Sequence, residues 1–92
     1  MQQIKKANLD HLVNMINRAT DSPMEPHTKG EDGKFTANIG NYHLSWAYGG
    51  VCLECMENED GGVSSAINSG FTTKRDLYNR MRAFLDGIQA KA

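Results

Sequence analysis

Cysteine is scarce in this chain: Cys52 and Cys55 are the only two among 92 residues. That excludes a disulfide-stapled scaffold and fits a reducing compartment. No apolar run approaches the ~20 residues that a membrane-spanning helix needs. Met1 to Lys6 is polar with two lysines, and the apolar positions behind it are spaced rather than continuous, so no signal-peptide core follows. The expected location is the cytoplasm. Neither sign of charge dominates, since ten Lys and Arg against eleven Asp and Glu leave a formal net charge of −1. A strongly basic nucleic-acid binder and a strongly acidic DNA mimic are both excluded. No serine stands in a G-x-S-x-G elbow, and the glycine pairs Gly49-Gly50 and Gly61-Gly62 match no phosphate loop. Internal repeats and low-complexity tracts are also missing.

What is present reads as one small globular domain over residues 1–92. Hydrophobic content of 39% and charged content of 23% are ordinary for a folded protein. A chain of this size buries roughly 60–65% of its unfolded surface, enough for one thin core. Leu9, Leu12, Val13, Ile16 and Ala19 recur at intervals of three and four, and Ile4 extends the same stripe backwards, which predicts a helix over 1–20 that ends before Asp21-Ser22-Pro23. Residues 21–33, punctuated by Pro23, Pro26, Gly30 and Gly33, read as an exposed loop.

Strand patterning fills 34–69. Phe35, Ala37 and Ile39 alternate with polar residues, Gly40-Asn41 turns, and Tyr42, Leu44, Trp46 and Tyr48 share one face of a second strand. Gly49-Gly50 is a two-residue hairpin signal, Val51 to about Glu57 a third strand, and Val63 to Asn68 a fourth, with Ser69-Gly70 ending the sheet. A second helix over 72–90 carries Leu77, Tyr78, Met81, Phe84, Leu85 and Ile88 on one stripe, is capped by Thr72 or Thr73 with Asp76, and is stapled by Phe71 onto Leu77. The expected fold class is therefore α+β: a four-stranded antiparallel β-meander flanked by N- and C-terminal helices packed on one face, in the order α-β-β-β-β-α. With the helices on the face bearing Leu44 and Trp46, the other face carries His43, Ser45, Ala47, Ser64 and Ala66, a small polar surface suited to docking.

Chemistry-bearing residues do not converge. Cys52 and Cys55 have a C-x-x-C spacing, but they lie three apart inside a strand, where side chains point to opposite faces. Zinc would need two further ligands from His11, His27 and His43, and no helix opens after Cys55 as a thioredoxin-like motif requires. The pair reads as reduced and structural, with no metal, no cofactor and no catalytic residue expected. Glu54, Glu57, Glu59 and Asp60 gather on the third strand and its turn as a solvated edge. From Phe71 to Ala92 five basic residues face two acidic ones, a local net charge of +3. Lys74, Arg75, Arg80 and Arg82, with Lys29 and Lys34, are the candidate partner-binding residues, on charge and expected exposure alone. Trp46 and Tyr48 are the right type to stack bases, but their face also carries Leu44 and reads as core.

The runs Tyr48-Gly49-Gly50-Val51-Cys52-Leu53, Asp60-Gly61-Gly62-Val63, Thr73-Lys74-Arg75-Asp76-Leu77-Tyr78 and Arg82-Ala83-Phe84-Leu85-Asp86-Gly87-Ile88 look like a pattern found in small proteins of phages and mobile elements. Within that group the chain resembles the phage anti-CRISPR proteins that act on type I-F surveillance complexes. The resemblance implies binding to the complex of Cas backbone subunits and bound crRNA, so that target DNA cannot hybridise. It implies no enzyme activity, no cofactor, no small-molecule substrate and no membrane. Its matching positions are fold residues, and it transfers no interface residue. Two other readings stand beside it: a phage accessory protein that binds another host protein, and a double-stranded-RNA-binding module. The RNA module is matched only in part by Lys74-Arg75; Glu25-Pro26-His27 is similar to its proline-histidine loop but precedes the first strand instead of following it, and the fourth strand also departs.

Overall fold

The first helix is built from an apolar stripe and closed by backbone geometry. In a computed structural model, which describes residues 3–67 and 70–90, α1 spans Lys6–Ala19 and buries Leu9, Leu12 and Ile16. Asp21 adopts a left-handed φ of 55°. The Asp21 N–H then bonds to the Arg18 carbonyl and the Ser22 N–H to the Asn17 carbonyl, the paired bonds of a Schellman stop. An aspartate stands where glycine is usual, and the proline two residues later prevents resumption.

Residues 21–33 are not all loop. His27–Lys29 forms β1 and pairs antiparallel with β2, Phe35–Ala37, in a separate two-stranded sheet. The expected four-stranded meander is thus corrected to a hairpin plus a three-stranded sheet, and its first strand belongs to the hairpin. The reason is local. A strand of His, Thr and Lys has no apolar alternation to reveal it, and both glycine turns serve the hairpin. Gly33, at φ 82°, closes the tip. Asn38 anchors the base, accepting from Thr28 and donating to the Glu25 carbonyl. Phe35 and Ile39 are exposed, and only Ala37 of that alternating set is buried.

The main sheet has the order β3-β4-β5, with β3 at Tyr42–Ala47, β4 at Gly50–Met56 and β5 at Val63–Ser65, all antiparallel. Its register places Ala47 opposite Gly50, so the central turn residues are Tyr48 and Gly49, at φ 53° and 72°. Positive φ at both positions is the hairpin turn that matches strand twist. The expected Gly49-Gly50 turn is therefore shifted by one residue. Gly50 has a different duty: a Cβ there would sit 2.9 Å from the Thr72 carbonyl oxygen, where Val51 and Thr72 exchange two backbone hydrogen bonds of 2.9 Å.

The last helix, α2, runs Lys74–Ala90. Thr73 Oγ1 accepts the Asp76 N–H at 3.1 Å, and Thr72 Oγ1 donates to the Asp76 carboxylate at 2.9 Å, so the expected cap is present. Leu77, Met81 and Leu85 join Leu9, Leu12 and Ile16 of α1 and Val51 and Leu53 of β4 in the core. Tyr42 closes it edge-on against Phe84, 5.8 Å between ring centres. Phe71 meets Tyr48 edge-on, at 5.4 Å between ring centres.

Both helices do pack on one face of the sheet, the face of Tyr42, Leu44, Val51 and Leu53. Pairing of Cys55 with Ser64 puts Ser64 on that face, and Ala66, bonded to the Leu53 carbonyl, packs against the core. These two were expected opposite; a strand with few apolar residues leaves its register undetermined, and a one-residue slip reverses every side chain. The radius of gyration, 13.7 Å, exceeds the about 12 Å of a compact chain this long. The principal interfaces join the helices to each other, α1 to β3 and α2 to β4, which leaves the hairpin projecting. The expected helix start at residues 1–2, the expected end of the fourth strand at 68–69, and Lys91 lie outside the described residues.

Candidate interaction surface

The six basic candidates are all exposed, but they separate into two groups. Lys29 and Lys34 flank the tip of the projecting hairpin, where Lys29 pairs with Phe35 and the Lys34 carbonyl accepts from Gly30. Lys74, Arg75, Arg80 and Arg82 lie along α2. Arg80 is held by Asp76 at 2.9 Å, and Arg82 approaches Asp86 at 4.0 Å, each one turn apart. Exposed pairs of this kind contribute little in water, so a partner's acid or phosphate can displace them. Arg80 and Thr72 together hold the Asp76 carboxyl below the usual aspartate range.

The aromatic residues expected in the core are the more informative ones. Tyr48 is 93% exposed, Trp46 47% and Phe71 38%. They cluster at the β3–β4 turn: Tyr48 is set by its left-handed backbone, and Phe71 stacks edge-on against it. A shallow recess of about 270 Å³ lies beside them, lined by Trp46, Gly49, Gly50, Val51, Thr72, Thr73 and Lys74. One signal for this was legible. Tyr48 directly precedes the turn glycine, and the outermost residue of a short hairpin runs past the helices that cover the sheet. A fourth exposed aromatic, Phe35 at 66%, sits on the hairpin opposite Lys29 and next to Lys34.

The remaining chemistry-bearing residues are dispersed or locked. Cys52 is buried on the face away from the helices, within weak reach of Ser65 Oγ at 3.8 Å. Cys55 is on the opposite face, and burial, with Glu57 nearby, pushes its thiol pKa up. The C-x-x-C pair is thus split by the sheet, and among the described residues no three His, Cys, Asp or Glu side chains gather to hold a metal ion. His43 lies between Asn41 Oδ1, at 3.2 Å, and Glu54, at 3.5 Å across the strands, a cross-strand polar pair. Burial also raises the Tyr42 hydroxyl, with smaller contributions from Cys55 and Glu57. Glu57 receives the Ser64 hydroxyl, while Glu59 and Asp60 remain exposed on the β4–β5 turn.

Among the described residues no helix is long and apolar enough to cross a membrane. No protein family, curated protein or solved structure matches this chain.

Proposed function

We propose that the protein is a phage anti-CRISPR inhibitor that binds the crRNA-loaded type I-F surveillance complex in the host cytoplasm and sterically blocks hybridisation of target DNA. The observation that carries this reading is the aromatic and cationic corner formed by Trp46, Tyr48, Phe71 and Lys74. An aromatic residue displayed on a rigid turn loses little entropy on binding, which makes it an effective anchor. Rings beside cations suit a ribonucleoprotein surface, where bases and arginine planes both stack on aromatics. The acids of the β4–β5 turn supply the opposite charge for a channel lined by arginines. The resemblance in the C-terminal half supports the choice of partner.

The test is a target-DNA gel shift with purified complex, with and without pre-bound protein. Loss of DNA binding at near-stoichiometric inhibitor is expected, and the block should weaken when Trp46 and Tyr48 are replaced by serine or when Arg75, Arg80 and Arg82 are reversed to glutamate. DNA binding that survives a large excess overturns the reading and moves the search to other host proteins.

A further inference from the structure

β3 is an edge strand, and among the described residues its outer side is filled at one position. Asn17, fully buried on α1, donates through Nδ2 to the Tyr42 carbonyl at 3.0 Å and accepts the Tyr42 N–H through Oδ1 at 2.8 Å. A side-chain amide there takes the place of a neighbouring strand's peptide group. Outward and inward hydrogen-bonding groups alternate along an antiparallel strand. The N–H and C=O of Leu44 and Trp46 therefore also point outward, and among the described residues they have no hydrogen-bond partner. They border a cleft of about 510 Å³ whose other wall is the flank of α1, at Lys6, Asp10, Val13 and Asn14.

We propose that this cleft binds an extended, uncharged segment of a partner protein, which adds to β3 as a further strand. Two donors and two acceptors at a two-residue period match extended polypeptide backbone, the mode by which sheet edges capture peptides. The charges agree: Lys6 and Asp10 neutralise each other at 2.7 Å on the wall, so an uncharged segment is the electrostatic match. Exposed edges are normally blunted by lysine or proline, and Tyr42–Ala47 contains neither. A second copy of this chain fits less well. The sheet edge of another molecule would meet α1 where Asn17 overhangs Tyr42, whereas a single strand runs between helix and edge. The inference rests on the protein's being a partner-binding domain and is independent of which partner that is.

The experiment is a titration of ¹⁵N-labelled protein with a blocked hexapeptide of alternating valine and threonine. Saturable shifts centred on the Leu44 and Trp46 amides are expected, with their hydrogen exchange slowed about tenfold or more. The same peptide N-methylated at alternate positions should give no shifts. Asn14→Trp fills the cleft from an exposed helix position without altering the strand and should weaken binding about tenfold. Absence of shifts at millimolar peptide, or undiminished binding by folded N14W, overturns the proposal. So does sedimentation showing that the edge is covered by self-association. No Cas complex or RNA enters this assay, so its failure and the failure of the DNA-block test are separate results.

Discussion

Asn17 and Tyr48 show how single residues set the boundary between fold and function. Asn17 breaks the apolar stripe of α1, and its two bonds to Tyr42 join helix to sheet at a fully buried position. Asn17→Ala removes both partners of the Tyr42 backbone and should destabilise the protein by about 2–3 kcal/mol, measured by urea denaturation. Tyr48 is different. Its left-handed backbone costs about 1–2 kcal/mol, against an edge-on ring contact with Phe71 that contributes about 0.5–1.5 kcal/mol. Tyr48→Gly relieves the first and loses the second, so its stability should stay within about 1 kcal/mol of the parent chain. Partner binding should suffer far more. A parallel loss of stability would assign Tyr48 to the fold and remove it from the interface.

At the scale of elements, α2 and the β1–β2 hairpin contrast. The start of α2 is tied by Thr73 and Asp76, and Thr73→Ala should cost about 1 kcal/mol. Because Arg80 and Thr72 hold the Asp76 pKa below its unfolded value of about 3.9, its stabilising contribution is complete above that value. It is lost as pH falls through the folded pKa. Unfolding followed from pH 5 down to pH 2 should show this slope reduced in Asp76→Asn. The hairpin contributes little to the core, and Phe35 on it is exposed. Phe35→Ser should therefore change stability by less than about 0.5 kcal/mol. Weakened inhibition by that variant in the gel-shift assay would place the hairpin in the interface.

For the whole molecule, the near-zero net charge is distributed unevenly, with a net excess of cations on α2 and acids on the β4–β5 turn, while Glu31 and Asp32 offset Lys29 and Lys34 at the hairpin tip. Such a distribution favours a mixed protein and RNA surface over free nucleic acid, whose binding is dominated by phosphate neutralisation. The protein should leave free duplex RNA unshifted in a gel at physiological salt. A shift with steep salt dependence would return the double-stranded-RNA reading.

The two helices, the stop of α1, the cap of α2 and the central β3–β4 pair were legible because each has a local cause: a 3.6-residue stripe, a proline, a threonine followed by an acid, alternating apolar residues around glycine. The α+β class follows from those signals alone, as does the separation of Cys52 from Cys55, since three residues along a strand reverse a side chain. Only tertiary structure decided the rest. Whether Phe35 is buried depends on which strand it pairs with, and its partner is a polar triplet without a pattern, while Ile39 lies past the end of β2. Whether Trp46 is core or surface depends on how far the helices reach along β3. The open groups of Leu44 and Trp46 exist because Asn17 fills one position of that edge and, among the described residues, no further strand lies on its outer side. Each is a matter of long-range placement, on which local composition has no hold.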